Sequence, residues 1–296
     1  MVSSGAMGRF SAVRTPLRPL ICLSILALGG CALSAKNVKP SAPYDFASLN
    51  QTAKYAQAAY QDDLTIHALC RPAFNDVYIQ VIPSTDNKYF LATSSATHVQ
   101  LIAIAGTANI ENVLLDADLT QEFVPGLNIS LHRGFARAAR LIYNDVKPHL
   151  LAGYRLEVTG HSLGGAEAVI VGMILKSEGT PAESIITFGQ PKVSNQAGVD
   201  AYKDLPLTRI VNQNDVIPES PLNPFRHIGP ELVLFPGSTY SVVQERPFDP
   251  AAVIAAWKAL QNHEAPAELP HHYIANYLVN LASKVTASQD IPYPKL

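Results

Sequence analysis

The segment Gly160-His161-Ser162-Leu163-Gly164 has the residue types and spacing best suited to chemistry in this sequence. The preceding RLEVT favours a strand, and the following GAEAVIVGMILK predicts a helix that is apolar nearly all round. A G-x-S-x-G pattern between a strand and a helix is typical of a nucleophilic serine on a strained turn, where the flanking glycines avoid collisions. The backbone N–H groups at the start of the helix then face the negative charge that develops when the serine attacks. We therefore predict Ser162 as a nucleophile, with a serine in an ordinary tight turn as the alternative.

A serine hydroxyl becomes nucleophilic when a histidine accepts its proton and a carboxylate orients that histidine. In a strand-turn-helix setting the chain order is serine, acid, histidine, so both partners should follow Ser162. Asp215 comes after the β-branched stretch LTRIVN, at the predicted carboxyl end of a strand, although turns also favour aspartate. PHHY precedes a predicted helix and is expected to form a loop at the same edge, but spacing alone does not choose between His271 and His272. The later histidines are His227, His263, His271 and His272.

A negatively charged intermediate at the serine needs backbone N–H donors around it. One predicted donor is the N–H of Leu163, directly after the serine. HVQLIAIAG predicts a buried strand ending in a glycine, and Thr107 follows it with an N–H and a hydroxyl. We predict Thr107 as the second donor, and an ordinary turn from strand to loop is the alternative for AGT.

Strand and helix patterns alternate along most of the chain. DVYIQVI and KYFLAT predict a pair of strands, and SIITFG and LTRIVN predict further strands beyond the helix after Ser162. LNQTAKYAQAAY and GFARAARLIYNDV predict helices. This order predicts an α/β fold with a central, mostly parallel sheet and helices on both faces. We find no internal repeat and predict one domain over residues 44–296.

Seven segments resemble those of the class 3 lipases, the family of fungal triacylglycerol lipases and their plant and bacterial relatives. VTGHSLGGAEA is similar to the nucleophile elbow of that family, LIAIAGTANIENVLLDADL to its oxyanion strand and lid, and LHRGFARAA to the segment after the lid. TFGQPKVSN resembles the strand after the nucleophile helix, and RIVNQNDVIPESP the loop of the catalytic aspartate. FRHIGPELVL resembles the strand-forming segment beyond that loop, and HYIANY the terminal histidine motif.

The resemblance implies an α/β-hydrolase fold and an acyl-enzyme mechanism with three catalytic residues. It assigns Asp215 as the orienting acid and His272 as the base, because Tyr277 follows His272 at the spacing of the family motif. It also assigns Thr107 and Leu163 as the oxyanion donors.

The same resemblance implies a lid helix over residues 110–119, amphipathic enough to cover the site in water and to contact lipid when open. A surface helix packed permanently on the core is the alternative. The family usually has arginine before the oxyanion glycine, where this chain has Ala105. That departure concerns how the lid is held and leaves both N–H donors in place.

The N-terminus predicts export and lipid attachment. Three arginines precede the apolar run LICLSILAL, which is shorter than the roughly 20 residues of a membrane-spanning helix. LGGC at the end of that run resembles a bacterial lipobox. We predict a signal peptide over residues 1–30 and a lipidated Cys31 that begins a flexible tether over residues 31–43, with an ordinary signal peptide as the alternative. The predicted location is the bacterial cell envelope, and the outer membrane in a Gram-negative host.

Charge and cysteine content give no indication of a nucleic acid, metal or cofactor partner. Removing the three arginines of the predicted signal peptide from 22 basic residues leaves 19 against 24 acidic residues, a net charge of −5. This balance gives no reason to expect a nucleic acid partner. Cys70 remains as a lone thiol, and no metal-ligand spacing or cofactor motif is present in the sequence.

The predicted function is hydrolysis of carboxylic esters of lipids, without metal or cofactor. The predicted partners are a lipid ester substrate and a membrane, reached through the lipid anchor and the lid. Four alternatives remain open: a phospholipase A1, an acyltransferase with the same three residues, a peptidase, and a non-catalytic lipid-binding lipoprotein of the envelope.

Overall fold

The computed structural model describes residues 37–38, 43–107, 120–247, 250–262 and 264–294. The described residues all belong to one compact unit of the chain. The predicted signal peptide, Cys31, the predicted lid and His263 lie outside the described residues. The predictions made for these residues therefore stay predictions.

A nine-stranded sheet forms the centre of the described part of the chain. The described strands, including two outside this sheet, are β1 Asp76–Ile82, β2 Asn87–Ser94, β3 Val99–Ile104, β4 Gln121–Val124, β5 Ile129–His132, β6 Arg155–His161, β7 Ser184–Phe188, β8 Leu207–Asn212, β9 Glu231–Leu234, β10 Thr239–Val243 and β11 Gln289–Asp290. The sheet order is β1-β2-β3-β6-β7-β8-β9-β10-β11, and β4 pairs with β5 in a separate hairpin. Its middle strands, from β3 to β9, are parallel to one another. The carboxyl ends of these strands therefore share one edge of the sheet.

Helices cover both faces of this sheet. They are α1 Phe46–Ala58, α2 Asp63–Cys70, α3 Arg133–Val146, α4 Leu163–Ser177, α5 Gln196–Tyr202, α6 Pro250–Gln261, α7 Leu269–His272 and α8 Ile274–Val285. Helices α3 and α4 pack together on one face, and α1 packs with α8 on the other. None of the described helices is both long and apolar enough to cross a membrane. The predicted α/β architecture with a mostly parallel sheet is confirmed.

Strand β3 shows why the sheet is buried on both sides. Successive side chains of a strand point to opposite faces. Ile102 and Ile104 accordingly pack in the cluster under α3 and α4, while Leu101 and Ala103 pack with residues of α1 and α2. A continuous apolar run such as VQLIAI is what a strand covered on both faces requires.

Asn37 and Val38, which lie within the predicted tether, pair with β10. The Val38 N–H donates to the Val242 carbonyl oxygen at 2.8 Å, and Asn37 bridges Val243 in antiparallel pairing. The short strand β11 pairs only with the first residues of β10, so the rest of that edge is open to another chain segment. Two residues of the predicted tether satisfy backbone groups there, and the sequence pattern of small and polar residues did not indicate it.

Helix α4 carries a buried carboxyl group among its apolar side chains. Glu167 is 0% exposed. Its Oε1 accepts a hydrogen bond from Asn87 Nδ2 at 2.7 Å, whereas Oε2 has no hydrogen-bond partner among the described residues. Burial raises the pKa of Glu167 well above its ordinary value, and the hydrogen bond from Asn87 offsets this only in part. Burial therefore favours the protonated, uncharged form of the Glu167 carboxyl.

Replacing Glu167 with glutamine is expected to change how stability depends on pH. Because folding raises the pKa of this carboxyl, the free energy of unfolding falls as pH rises above the pKa of an unfolded glutamate, about 4.3. The slope is on the order of 1 kcal/mol per pH unit, and Glu167→Gln removes it. Urea unfolding of both proteins at about pH 5 and about pH 8 should show the variant gaining stability relative to the wild type as pH rises. Parallel stability profiles would contradict the buried, protonated state.

Candidate active site

Ser162 lies on the sharp turn between β6 and α4. Its φ of 59° and ψ of −128° are angles that residues with a side chain rarely adopt. A Cβ on Gly160 would collide with the backbone of Gly164, and a Cβ on Gly164 would collide with the backbone at Ile104. The Ser162 N–H donates to the Phe188 carbonyl oxygen at 2.9 Å. The turn thus has the strained, glycine-flanked geometry predicted for a nucleophile elbow.

His272 connects Ser162 to Asp215. The Ser162 Oγ is 2.8 Å from His272 Nε2, and His272 Nδ1 is 2.9 Å from Asp215 Oδ2. All three residues are buried. A neutral imidazole that donates its Nδ1–H to the carboxylate presents an unprotonated Nε2 to the hydroxyl, as a general base requires. The structure brings together the three side chains that the sequence analysis selected.

Hydrogen bonds hold Asp215 as a carboxylate. Its Oδ2 also accepts from the Tyr277 hydroxyl at 2.6 Å, and its Oδ1 accepts from the Ile217 N–H at 2.9 Å. Burial opposes ionisation, but the charge of His272 and the hydrogen bonds from His272, Tyr277 and Ile217 outweigh it and lower the pKa of Asp215. A charged and fixed acceptor therefore faces the imidazole.

Only one of the two adjacent histidines faces this site. The loop predicted for PHHY is wrong, because Leu269–His272 forms the short helix α7, in which Pro270 is suited to the first turn. Successive residues of a helix are rotated by roughly 100°, so His271 is exposed while His272 is buried. Asn212 Nδ2 donates to the His271 carbonyl oxygen at 2.8 Å, which ties α7 to the end of β8.

His161 anchors the backbone of His272. Its Nε2 is 2.7 Å from the His272 carbonyl oxygen and must carry the hydrogen, because a carbonyl only accepts. The Nδ1 of His161 then accepts a hydrogen bond from the Tyr60 hydroxyl at 2.8 Å. Burial, with a contribution from the charge of His272, lowers the pKa of His161 to about 3, so the ring is neutral. Tyr60 follows α1 and was not selected from the sequence.

The predicted oxyanion donors are on segments that adjoin Ser162. Leu163 is the first residue of α4, so its N–H has no carbonyl partner within the helix. A Cβ on Gly106 would be 2.7 Å from the His161 carbonyl oxygen and 3.1 Å from the Ser162 Cβ. Thr107 follows Gly106 and is half-buried. Gly106 and the start of α4 therefore adjoin the serine, and Thr107 directly follows Gly106.

Arg246 fixes the backbone of the loop that carries Asp215. Its guanidinium donates to the Gln213 carbonyl oxygen at 2.8 Å and to the Asp215 carbonyl oxygen at 3.2 Å. It also forms ion pairs with Glu219 at 3.1 Å and with Glu231 at 3.2 Å. The Arg246 side chain is buried, so these carboxylates balance its charge. No local pattern marks Arg246, which lies 31 residues beyond Asp215 in the chain.

Gly189, at the end of β7, lies against the acid and the base. Its φ is 58°, and a Cβ there would be 2.8 Å from Asp215 Oδ2 and 3.0 Å from His272 Nδ1. Any side chain at this position would enter the space that the hydrogen-bonded pair occupies. This glycine was part of the resembling segment TFGQPKVSN but was not singled out there.

Four further histidines have structural contacts or are exposed. The ring of His132 accepts a hydrogen bond from the Phe135 N–H at the start of α3, and His227 Nε2 donates to the Pro218 carbonyl oxygen at 2.6 Å. His98 and His149 are exposed. Within the described ranges, no group of three or more His, Cys, Asp or Glu side chains is arranged as metal ligands.

A family model built from known proteins matches the part of the chain that carries most of this site. The family model Lipase (class 3) matches residues 101–225, a range that includes Thr107, Ser162 and Asp215. The resemblance to the class 3 lipases is confirmed. His272 lies beyond the matched range, so its position next to Ser162 is a separate observation from the structure.

Fungal lipases are among the relatives found by sequence. A secreted mono- and diacylglycerol lipase of Fusarium solani is 27% identical over 158 residues, which are 49% of this chain and 46% of that protein. A lipase of Rhizopus niveus is 29% identical over 174 residues, which are 54% of this chain and 44% of that protein. The chain thus matches less than half the length of either class 3 lipase.

The fold of a solved class 3 lipase extends over more of the chain. The crystal structure of the mono- and diacylglycerol lipase from Aspergillus oryzae aligns with a TM-score of 0.63 at 20% identity. The alignment covers 81% of this chain and 98% of that one. At this identity the likeness concerns the fold, and it confirms the predicted α/β-hydrolase fold.

Replacing Tyr60 with phenylalanine is expected to slow the reaction of Ser162 with a fluorophosphonate by about three- to tenfold. The change removes the hydrogen bond to His161 Nδ1 and leaves that buried acceptor unpaired, which loosens the anchor of the His272 backbone. Tyr55→Phe in α1 removes the hydroxyl of a buried ring that packs on Phe74, and it is the matched control. Equal labelling rates for the two variants would contradict a role of Tyr60 in positioning His272.

Proposed function

We propose that this chain hydrolyses carboxylic esters of lipids, with Ser162 as nucleophile, His272 as general base and Asp215 as the orienting acid. The observation that carries the proposal is the unbroken chain of hydrogen bonds from the Ser162 hydroxyl through the imidazole to the carboxylate. The match to class 3 lipases supports a lipid ester as the substrate class.

In the first step, His272 Nε2 accepts the proton of the Ser162 hydroxyl as Oγ forms a bond to the ester carbonyl carbon. The Asp215 carboxylate stabilises the imidazolium that results and keeps its orientation. The carbonyl oxygen becomes an oxyanion, and the N–H groups of Leu163 and Thr107 are the proposed donors to it. The loss of one such donor typically costs about 10²–10³ in turnover.

In the second step the tetrahedral intermediate collapses. The bond to the leaving alcohol breaks, and the His272 imidazolium donates its proton to that alcohol oxygen, which leaves an acyl group on Ser162. Water then attacks the acyl-enzyme while His272 accepts a proton from it. The fatty acid leaves and the Ser162 hydroxyl is restored. Every proton and bond in these steps is accounted for by Ser162, His272, the ester and water.

Glycerides are the proposed esters. Several relatives found by sequence are named as lipases, and the one from Fusarium solani is named as a mono- and diacylglycerol lipase. The half-exposed ring of Tyr273 directly follows His272 and provides aromatic surface next to the base. A tyrosine of this kind suits a boundary between apolar chains and water.

Substitution of the two adjacent histidines tests the assignment sharply. His272→Ala is expected to lower the hydrolysis of tributyrin and of p-nitrophenyl butyrate by at least about a thousandfold, as is Ser162→Ala, because residues of a triad act as a unit. His271→Ala removes an exposed ring one position away and should retain most of the activity. Thermal unfolding measured by circular dichroism checks that the variants are folded. Wild-type turnover by folded Ser162→Ala would refute the proposal.

We also propose that the chain is anchored in the bacterial cell envelope by a lipid on Cys31, and in the outer membrane in a Gram-negative host. LGGC at the end of a short apolar run supports this. More than one acyl chain would give stable attachment, whereas a single chain binds a membrane only marginally.

Metabolic labelling tests the anchor independently of the enzyme. A bacterial culture given an alkynyl fatty acid should label the wild-type chain and Cys70→Ser, since Cys70 is buried. Cys31→Ser should lose the label and shift from the membrane fraction. Labelling of Cys31→Ser at the wild-type level would overturn the anchor proposal.

A further inference from the structure

A groove of about 910 Å³ lies between the β4–β5 hairpin and α3, away from the hydrogen-bonded residues of the site. We call it the arginine groove. Its charged lining residues are Glu122, Arg133, Arg137 and Arg140, and the exposed ring of Phe123 also lines it. Three arginines face one glutamate there, in a chain whose formal net charge is −2. The groove therefore carries a positive charge although the chain as a whole has a small negative net charge.

The helix geometry gathers these arginines. Arg133, Arg137 and Arg140 are spaced by four and three residues, so they lie on the same face of α3. All three are exposed. The inference rests on Arg137 and Arg140, whose guanidinium groups make no hydrogen bond or ion pair with the described residues. Two guanidinium groups on one face of a helix are suited to phosphate oxygens, which they bind in a bidentate manner.

The arginine groove begins at the edge of the sheet that carries the active site. Leu131 of β5 bridges Ser194, and Ser194 follows β7 on the side where Ser162 and Asp215 lie. Helix α3 starts directly after β5, so Arg133 is the arginine closest to that edge. A flat surface that met the groove would also approach the edge with Ser162.

Phe123 supplies an apolar contact beside the charges. Its side chain is 56% exposed on β4, where a large aromatic group gains nothing from the core. An aromatic ring next to arginines matches the boundary of an anionic bilayer, where phosphates meet acyl chains. The positive charge of the groove complements an anionic bilayer surface. A zwitterionic bilayer has no net charge and would attract the groove less.

We propose that the arginine groove binds the phosphate groups of anionic phospholipids at a bilayer surface, and so holds the active-site edge against the membrane. The proposal is independent of the reaction at Ser162. It concerns the binding of the protein to a surface and does not require turnover.

Partition of the full chain onto vesicles tests the proposal, with Cys31→Ser in every variant so that no acyl anchor forms at the predicted position. The vesicles contain phosphatidylcholine alone, or phosphatidylcholine with phosphatidylglycerol at about 70:30. Arg137→Gln/Arg140→Gln is expected to lower the partition coefficient on the anionic vesicles roughly 10–30-fold at low salt. The loss should shrink at high salt, because screening weakens both proteins' attraction to the surface.

A charge-matched control separates the groove from the general charge of the chain. Arg71→Gln/Arg155→Gln removes two exposed arginines outside the groove, and Arg155 begins β6 at the end of that strand opposite Ser162. This control should partition like the protein that carries Cys31→Ser alone, and thermal unfolding should show all variants folded. Equal losses in the two double variants, or no loss in the groove variant, would overturn the proposal, as would an equal loss on vesicles of phosphatidylcholine alone.

Discussion

The contact of His272 with both Ser162 and Asp215 is the interaction on which the rest of the site depends. An imidazole can serve as a base only if one nitrogen faces the hydroxyl while the other is held in its protonated form. Both distances are within hydrogen-bond range at once, although the three residues come from separate segments of the chain. What fixes them is the backbone around His272, where His161 binds its carbonyl oxygen and Asn212 binds that of His271.

The parallel sheet makes this convergence possible. Strands β3, β6 and β8 end at the same edge, so the oxyanion segment, the nucleophile and the acid approach one another through short turns. This arrangement places Ser162 in a strained backbone conformation. The conformation is possible because Gly160 and Gly164 have no side chains that would collide around it. The Asp215 loop is fixed from behind by Arg246. Buried ion pairs contribute little net stability, so the clearer effect of Arg246 and its carboxylates is on the position of the loop.

Local patterns predicted much of this from the sequence, while contacts between distant segments escaped it. Ser162 is marked by a five-residue motif in a strand-turn-helix setting, and Asp215 by its position after a strand. The resemblance carried the choice of His272 over His271 through the position of Tyr277, because the residues themselves did not distinguish two adjacent histidines. Tyr60 and Arg246 had no local mark, since their partners lie 101 and 31 residues away. Glu167 was missed although its surroundings were predicted correctly. Its apolar neighbours predict a buried helix, but they do not indicate that a buried carboxyl in that helix is held in its protonated form.

The protonation states around His272 are also fixed by burial and by hydrogen bonds. The rings of His161 and His272 have centroids 4.7 Å apart, close enough for a positive charge on one to oppose a positive charge on the other. The low pKa of His161, about 3, keeps that ring neutral while His272 takes up a proton from Ser162. Asp215 has the reverse role, because its lowered pKa keeps a negative charge next to the imidazolium. The hydrogen bond from Tyr60 completes this arrangement: with Nδ1 of His161 occupied as an acceptor, its Nε2–H remains directed at the backbone of the base.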